Sequence, residues 1–552
     1  MPSLSCRTAL MALLLCLGAC APQPETSLEI TVLTTADIHG RVLPWDYYRD
    51  QPDEAHSLLK AASLIAVRRD TAEHVLLLDA GDFIQGNPFA DFHATERAED
   101  GLHPLLRVMD AMDYDAIVLG NHEFNFGLDY LDRQISLSSS PILAGNVYRH
   151  GTREHAYTPY VIRELGGVRV GIIGLTTPGS AVWDRRHVEG VLDFGDGAEA
   201  AARLVPEVRT AGADVIVMLL HSGLEARSSY TAGGVAEENF GQTLLDSVPG
   251  IDVLVLAHTH RVIEGEPRTG ADGRPVAVVQ AGRWASHVGE VTLRLVRREG
   301  RWEVSPGTAR AIPVVDAPVA PALAALVDAD HQAVRDWVNE VVAGTPDRWS
   351  ARDARLVDTP IIDLIQHVQK QVGEAQLSGS AAFTTTLEFG PGPITRADLA
   401  TLYPYENTLV VLEVTGEQLR EYLEYAAAFY EGLRAGEPVV AGGRPGYNFD
   451  MLAGVDYLVD LARPVGERVV ELSYDGEPVQ AQQRFSLAVN SYRAQGSGGY
   501  TMLVDAPVLR EIDRSVRTLI EEYLAERGEI RHADVHQRNW AHVHEPDSLI
   551  AP

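Results

Sequence analysis

A chain of 552 residues is longer than one hydrophobic core usually spans, so two domains are expected. Its composition, 45% hydrophobic and 22% charged, is that of an ordinary soluble protein. A net charge of -31 without a basic cluster excludes nucleic acid duplexes and anionic membrane surfaces as main partners. It also repels an anionic substrate at long range, but screening beyond about 10 Å leaves local charge in control.

The three cysteines, Cys6, Cys16 and Cys20, all lie at the amino terminus. Arg7 followed by the apolar run 9–17 reads as a secretory signal, too short to span a bilayer. It ends in Leu17-Gly-Ala-Cys20, which resembles a bacterial lipoprotein processing site. Residues 1–20 are therefore expected to be a lipoprotein signal peptide. A lipid on Cys20 would be the membrane attachment, and 21–27 a tether. The protein is expected to be exported, to the periplasm or the cell surface.

From 28 onward, five apolar runs end in residues that bind divalent metals. Run 28–35 leads into Asp37-Ile-His39, 75–78 into Asp79-Ala-Gly-Asp82, and 116–119 into Gly120-Asn-His-Glu123. After a further strand at 168–175, run 215–220 leads into His221 and 253–257 into His258-Thr-His260. Short apolar runs closed by turn residues read as buried strands, and open α/β sheets bind ligands at the carboxyl ends of such strands. One convergent site is expected, in a metallohydrolase domain spanning 28–316.

Asp37, His39, Asp82, Asn121, His221, His258 and His260 supply seven oxygen or imidazole donors. That is too many for one four-coordinate ion with an open position. If Asp82 bridges, two divalent ions each gain about four protein ligands, the clamp expected for displacement at phosphorus. With no cysteine among the donors, manganese, zinc, iron or magnesium would all suit the site.

Pro313, Pro318 and Pro321 mark a boundary. A helical run at 322–342, within a linker at 317–349, is expected to bridge to a second domain at 350–530. That domain carries Tyr403-Pro-Tyr-Glu-Asn-Thr408, Tyr447-Asn-Phe-Asp450 and Asn490-Ser-Tyr-Arg493. Aromatics on such loops can sandwich a planar base, and Arg493 could reach a phosphate or a base edge. The polar segment 531–552 reads as a peripheral tail.

These motifs, with Gly120-Asn-His-Glu-Phe-Asn-Phe-Gly127 and Trp45-Asp-Tyr-Tyr48, resemble the exported nucleotidase family of binuclear metallophosphoesterases. Within it the chain is most similar to the bacterial 2′,3′-cyclic-nucleotide 2′-phosphodiesterase/3′-nucleotidase branch. The resemblance implies an α/β fold: a calcineurin-like αββα sandwich joined by a helix to a smaller α/β 5′-nucleotidase C-terminal domain. It implies that Asp37, His39, Asp82 and His260 hold one ion, and Asp82, Asn121, His221 and His258 the other. His122, beside Asn121, would stabilise the transition state, Tyr447 and Tyr492 would sandwich the base, and the linker helix would act as a hinge. Asn125 stands where 5′-nucleotidases of the family carry an Asp that pairs with the motif histidine, which favours cyclic diesters. A 5′-nucleotidase or nucleotide-sugar hydrolase, a thiosulfate-esterase relative and a non-catalytic nucleotide-binding lipoprotein are the competing readings.

Overall fold

The computed structural model describes residues 27–543 apart from 226–227, 231–233 and 435–436. The expected signal peptide, Cys20 and nearly all of the tether lie outside the described residues. Among those described, no helix is long and apolar enough to cross a membrane.

Two sheets lie face to face in the amino-terminal domain. In the first, Ser27–Thr35 pairs in parallel with Val75–Asp79, which continues in parallel through Ala116–Val118 to Ile142–Leu143. In the second, Val168–Thr176, Val215–His221, Val253–Leu256 and Pro275–Ala281 are also parallel neighbours. Side chains alternate between two cores along each strand. Leu76 and Leu78 point into the shared inter-sheet core with Val217 and Val255, whereas Leu77 joins the outer core beneath the helices. On the second sheet Ile216, Met218 and Leu220 pack outward in the same way. Burial on both faces is why these strands read as unbroken apolar runs, and it gives the αββα sandwich expected of them.

The carboxy-terminal domain is built on a five-stranded sheet in the order Asp450–Ala453, Leu377–Ala381, Arg484–Asn490, Thr408–Thr415, Val508–Ser515. Helices Pro360–Gly373, Gly416–Ala427 and Val516–Arg527 contribute to its core. Arg517 of the last of these helices reaches across the domain boundary, 3.0 Å from Asp91 of the amino-terminal domain, and also pairs with Glu406 of the Tyr403–Thr408 motif.

The linker departs from expectation. The single helical run at 322–342 is instead two helices, Pro321–Leu326 and Asp328–Val338, broken at Val327. The second opens with Asp328 and Asp330, acids that favour a helix start through the backbone dipole. It is not a free-standing bridge, because Val334 and Val338 join the amino-terminal core with Phe89 and Phe92. Val341–Thr345 is already a strand, paired with Gly392–Thr395 of the second domain.

The segment expected to be a peripheral tail also differs. Trp540–His542 is a strand parallel to Asp456–Val459, and Trp540 stacks on Tyr457 at a centroid distance of 6.0 Å. With Trp540 only 4% exposed, Trp540→Ala should cost about 3–5 kcal/mol, a typical loss for a buried aromatic. Chemical denaturation followed through the carboxy-terminal domain should show this loss; an unchanged midpoint would mean that the strand only decorates the surface.

Candidate metal centre

Each of the five predicted strand ends delivers its donors to one place. Asp37 and His39 follow Ser27–Thr35, Asp82 follows Val75–Asp79, and Asn121 follows Ala116–Val118. His221 is the last residue of its strand, and His258 and His260 follow Val253–Leu256. Asp37, His39, Asp82, His258 and His260 all have positive φ, between 48° and 68°. Non-glycine residues rarely adopt this left-handed conformation, so backbone strain is concentrated where the ligands converge. Two glycines make the crowding possible. A Cβ at Gly120 would lie 2.2 Å from Asp82 Oδ1, and one at Gly81, where φ is +89°, would lie 2.7 Å from the Gly120 nitrogen.

The donors form two groups. Ligand atoms of Asp37, His39 and His260 lie within 4.8 Å of one another, and so do those of Asp82, His221 and His258. Asp82 Oδ2 stands between the groups, 3.1 Å from His221 Nε2 and 4.0 Å from His39 Nε2. Asn121 Oδ1 completes the second group, 3.2 Å from His221 Nε2. Asp37 and Asp82 are almost wholly buried, and Asp37 Oδ2 has no hydrogen-bond partner among the described residues. Burial and the charge of Asp82 push the Asp37 carboxyl well above its ordinary range. Burial would raise Asp82 as well, but the facing His221 and His122 hold it well below that range. Two carboxylates this deep stay ionised together only with cations between them. The donor set therefore fits two divalent ions, with Asp82 as the bridge.

In three of the four ligand histidines the outer nitrogen shows which atom is left for an ion. His39 Nδ1 bonds the Gln85 carbonyl at 2.9 Å and His221 Nδ1 the Ala80 carbonyl at 2.7 Å, so Nε2 faces inward in both. His258 is reversed: its Nε2 bonds Glu238 Oε1 at 2.8 Å, leaving Nδ1 for the ion. Such partners fix the tautomer and raise ligand basicity. Glu123, quoted in the motif without a role, anchors the ligand loops. Its carboxylate accepts the backbone N–H groups of Asp82, Phe83, Ile84 and Gly120 at 2.7–3.2 Å.

His122 stands at the edge of the centre, with Nε2 3.9 Å from Asp82 Oδ2. Its Nδ1 bonds Asn125 Oδ1 at 2.7 Å, and Asn125 Nδ2 donates to Asp184 Oδ1 at 2.7 Å. Burial opposes protonation of the ring, yet Asp82, the Asn125 bond and Asp184 together raise its pKa above the ordinary histidine value. Burial pushes the Asp184 carboxyl up to about 7.

A cavity of about 620 Å³ joins these residues to the second domain, with Asp82, Asn121 and His122 at one end and Tyr447 and Tyr492 at the other. Tyr447 is 38% exposed, so its ring is available to a ligand. Arg493 lines the same cavity and has structural partners as well. It is 2% exposed, and Nε and Nη2 grip the two oxygens of Asp450 at 2.8 and 2.7 Å. Nη2 also donates to the Tyr447 carbonyl and Nη1 to that of Ser497. These bonds engage four of its five N–H donors and tie the Tyr447 loop to the Tyr492 turn, while Arg493 still lines the cavity.

Glu238 and Asp184 were invisible to motif reading. Glu238→Gln should weaken metal binding about 10–100-fold, the usual effect of losing such a partner, while leaving the unfolding midpoint of the metal-free protein nearly unchanged. Titration with zinc against a competing chelator would measure this; wild-type affinity would remove Glu238 from the site.

The calcineurin-like phosphoesterase model matches residues 30–262 and the 5′-nucleotidase C-terminal domain model matches 341–505. The chain is 34% identical to a 2′,3′-cyclic-nucleotide 2′-phosphodiesterase/3′-nucleotidase of Haemophilus influenzae, over 86% of this chain and 81% of that protein. It is 31% identical to the Salmonella typhimurium protein of the same name, over 85% and 82%. A putative 5′-nucleotidase from Staphylococcus aureus, solved with alpha-ketoglutarate, superposes with a TM-score of 0.80 at 26% identity, over 93% of this chain and 99% of that one. With the metal centre described above, these matches make the chain a phosphoric ester hydrolase belonging to the binuclear metallophosphoesterase family that carries a 5′-nucleotidase C-terminal domain.

Proposed function

We propose that this enzyme hydrolyses 2′,3′-cyclic nucleotides to 3′-nucleotides, and 3′-nucleotides to nucleoside and phosphate. The continuous cavity between the metal ligands and the Tyr447–Tyr492 pair carries this reading, because it offers one end to a phosphate and the other to a base. The names of the Haemophilus and Salmonella relatives support the cyclic diester as substrate. So does Asn125 beside His122, where a direct carboxylate partner would favour the 5′-nucleotidases.

In this scheme the base stacks between Tyr447 and Tyr492. Stacking admits purines and pyrimidines alike because every base has a π-face. Asp37, His39, Asp82 and His260 hold one divalent ion, and Asp82, Asn121, His221 and His258 the other. When bound, the two ions supply Lewis acidity that activates water and neutralises phosphoryl oxygens. His122 directs Nε2 at the phosphoryl group as the P–O2′ bond breaks and the 2′ oxygen gains a proton. The 3′-monophosphate can then rebind for a second hydrolysis at the same centre. The leader-like run ending at Cys20 supports an exported lipoprotein, and on that reading RNA breakdown products are salvaged outside the cytoplasm.

Initial rates on 2′,3′-cyclic AMP, 3′-AMP and 5′-AMP, measured with manganese and then with excess chelator, test the reading. Preference for the first two, lost on chelation, is expected. Preference for 5′-AMP would retain the metal centre and overturn the substrate assignment.

A further inference from the structure

Asp184 belongs to none of the motifs and holds no ion, yet its placement is costly. It is 3% exposed, between the short helices Ser180–Trp183 and Arg185–Val188, and its side chain caps neither. Oδ1 accepts the Asn125 amide at 2.7 Å, while Oδ2 is buried without a hydrogen-bond partner among the described residues. A half-satisfied buried carboxylate does not stabilise a fold. Its neighbour Asn125 is itself held in place, since the Asn125 backbone carbonyl accepts His187 Nε2 at 3.1 Å.

We propose that Asp184 is a positioning residue that acts through Asn125 to fix the orientation and tautomer of His122. Asn125 Nδ2 donates to Asp184 Oδ1 at 2.7 Å, which turns the amide oxygen of Asn125 toward His122. An amide oxygen only accepts, so His122 Nδ1 must carry the hydrogen in the 2.7 Å bond between them. Nε2 is then the atom presented to the cavity. With Asp184 removed or made an amide, Asn125 can rotate and offer its N–H to Nδ1, which reverses the ring. The chain thus keeps a carboxylate behind its motif histidine, supplied by a distant residue and relayed through an amide. The inference rests on the proposed function only in taking His122 as a group that meets the phosphoryl oxygens.

Two measurements test it. In the full chain labelled with ¹⁵N-histidine and loaded with zinc, long-range ¹H–¹⁵N spectra should show His122 with its hydrogen on Nδ1. A hydrogen on Nε2 with a bare Nδ1 would overturn the proposal, and this reading needs neither a variant nor turnover. Asp184→Asn should lower kcat about 10–100-fold with little change in KM, as for other residues that orient an active-site ring. The reciprocal pair Asn125→Asp/Asp184→Asn restores an acceptor to Nδ1 and a donor behind it, so kcat should recover most of the loss. Wild-type kcat in Asp184→Asn, or a double variant no faster than that single one, would contradict the relay. Rates are read on 2′,3′-cyclic AMP and on a small aryl phosphodiester. Failure of the unaltered protein on the nucleotide alone would count against the proposed substrate and not against the relay.

Discussion

The structure is organised around two buried carboxylates, Asp37 and Asp82, held close together in a pocket of imidazoles. Desolvating one carboxylate is expensive, and two at this depth repel each other unless cations lie between them. Much of the local architecture follows from that constraint. Five ligands sit in left-handed backbone conformations, Gly81 and Gly120 let three loops approach to atomic contact, and Glu123 pins the Asp82 and Gly120 loops through four backbone N–H groups. A sandwich with both sheet faces buried provides the rigid frame that such strained ends require.

A buried ion pair plays the matching part in the other domain. Arg493 and Asp450 share two hydrogen bonds, and their remaining contacts hold the Tyr447 loop against the Tyr492 turn. The distance between the aromatic end of the cavity and its metal end depends on how the domains sit. Arg517, between Asp91 and Glu406, is one contact that fixes this arrangement. Asp91 also accepts the Gly86 N–H, next to the Gln85 carbonyl that orients His39, so the domain contact adjoins a ligand loop.

How much of this was legible in the sequence depended on chain distance. The seven donors could be found because each follows an apolar strand directly, and burial of both faces left those strands unbroken. Asp184 could not be found, because the bond that gives it a role joins residues 59 apart and its local text, Trp183-Asp-Arg-Arg186, carries no pattern. Glu238 is hidden for the same reason, in a loop far from the His258 it orients. Arg493 could be placed at the site from its neighbouring tyrosines, but only the packing shows that Asp450 faces it. The strand at Trp540 was missed because three residues are too few for a period, and its polar neighbours disguise one buried indole.

The account stands or falls on two ions meeting at Asp82. Metal-stripped protein reconstituted with manganese should bind two ions per chain, and anomalous diffraction should place them about 3.5–4 Å apart with Asp82 between them. One ion per chain, or two ions with Asp82 contacting only one, would contradict it.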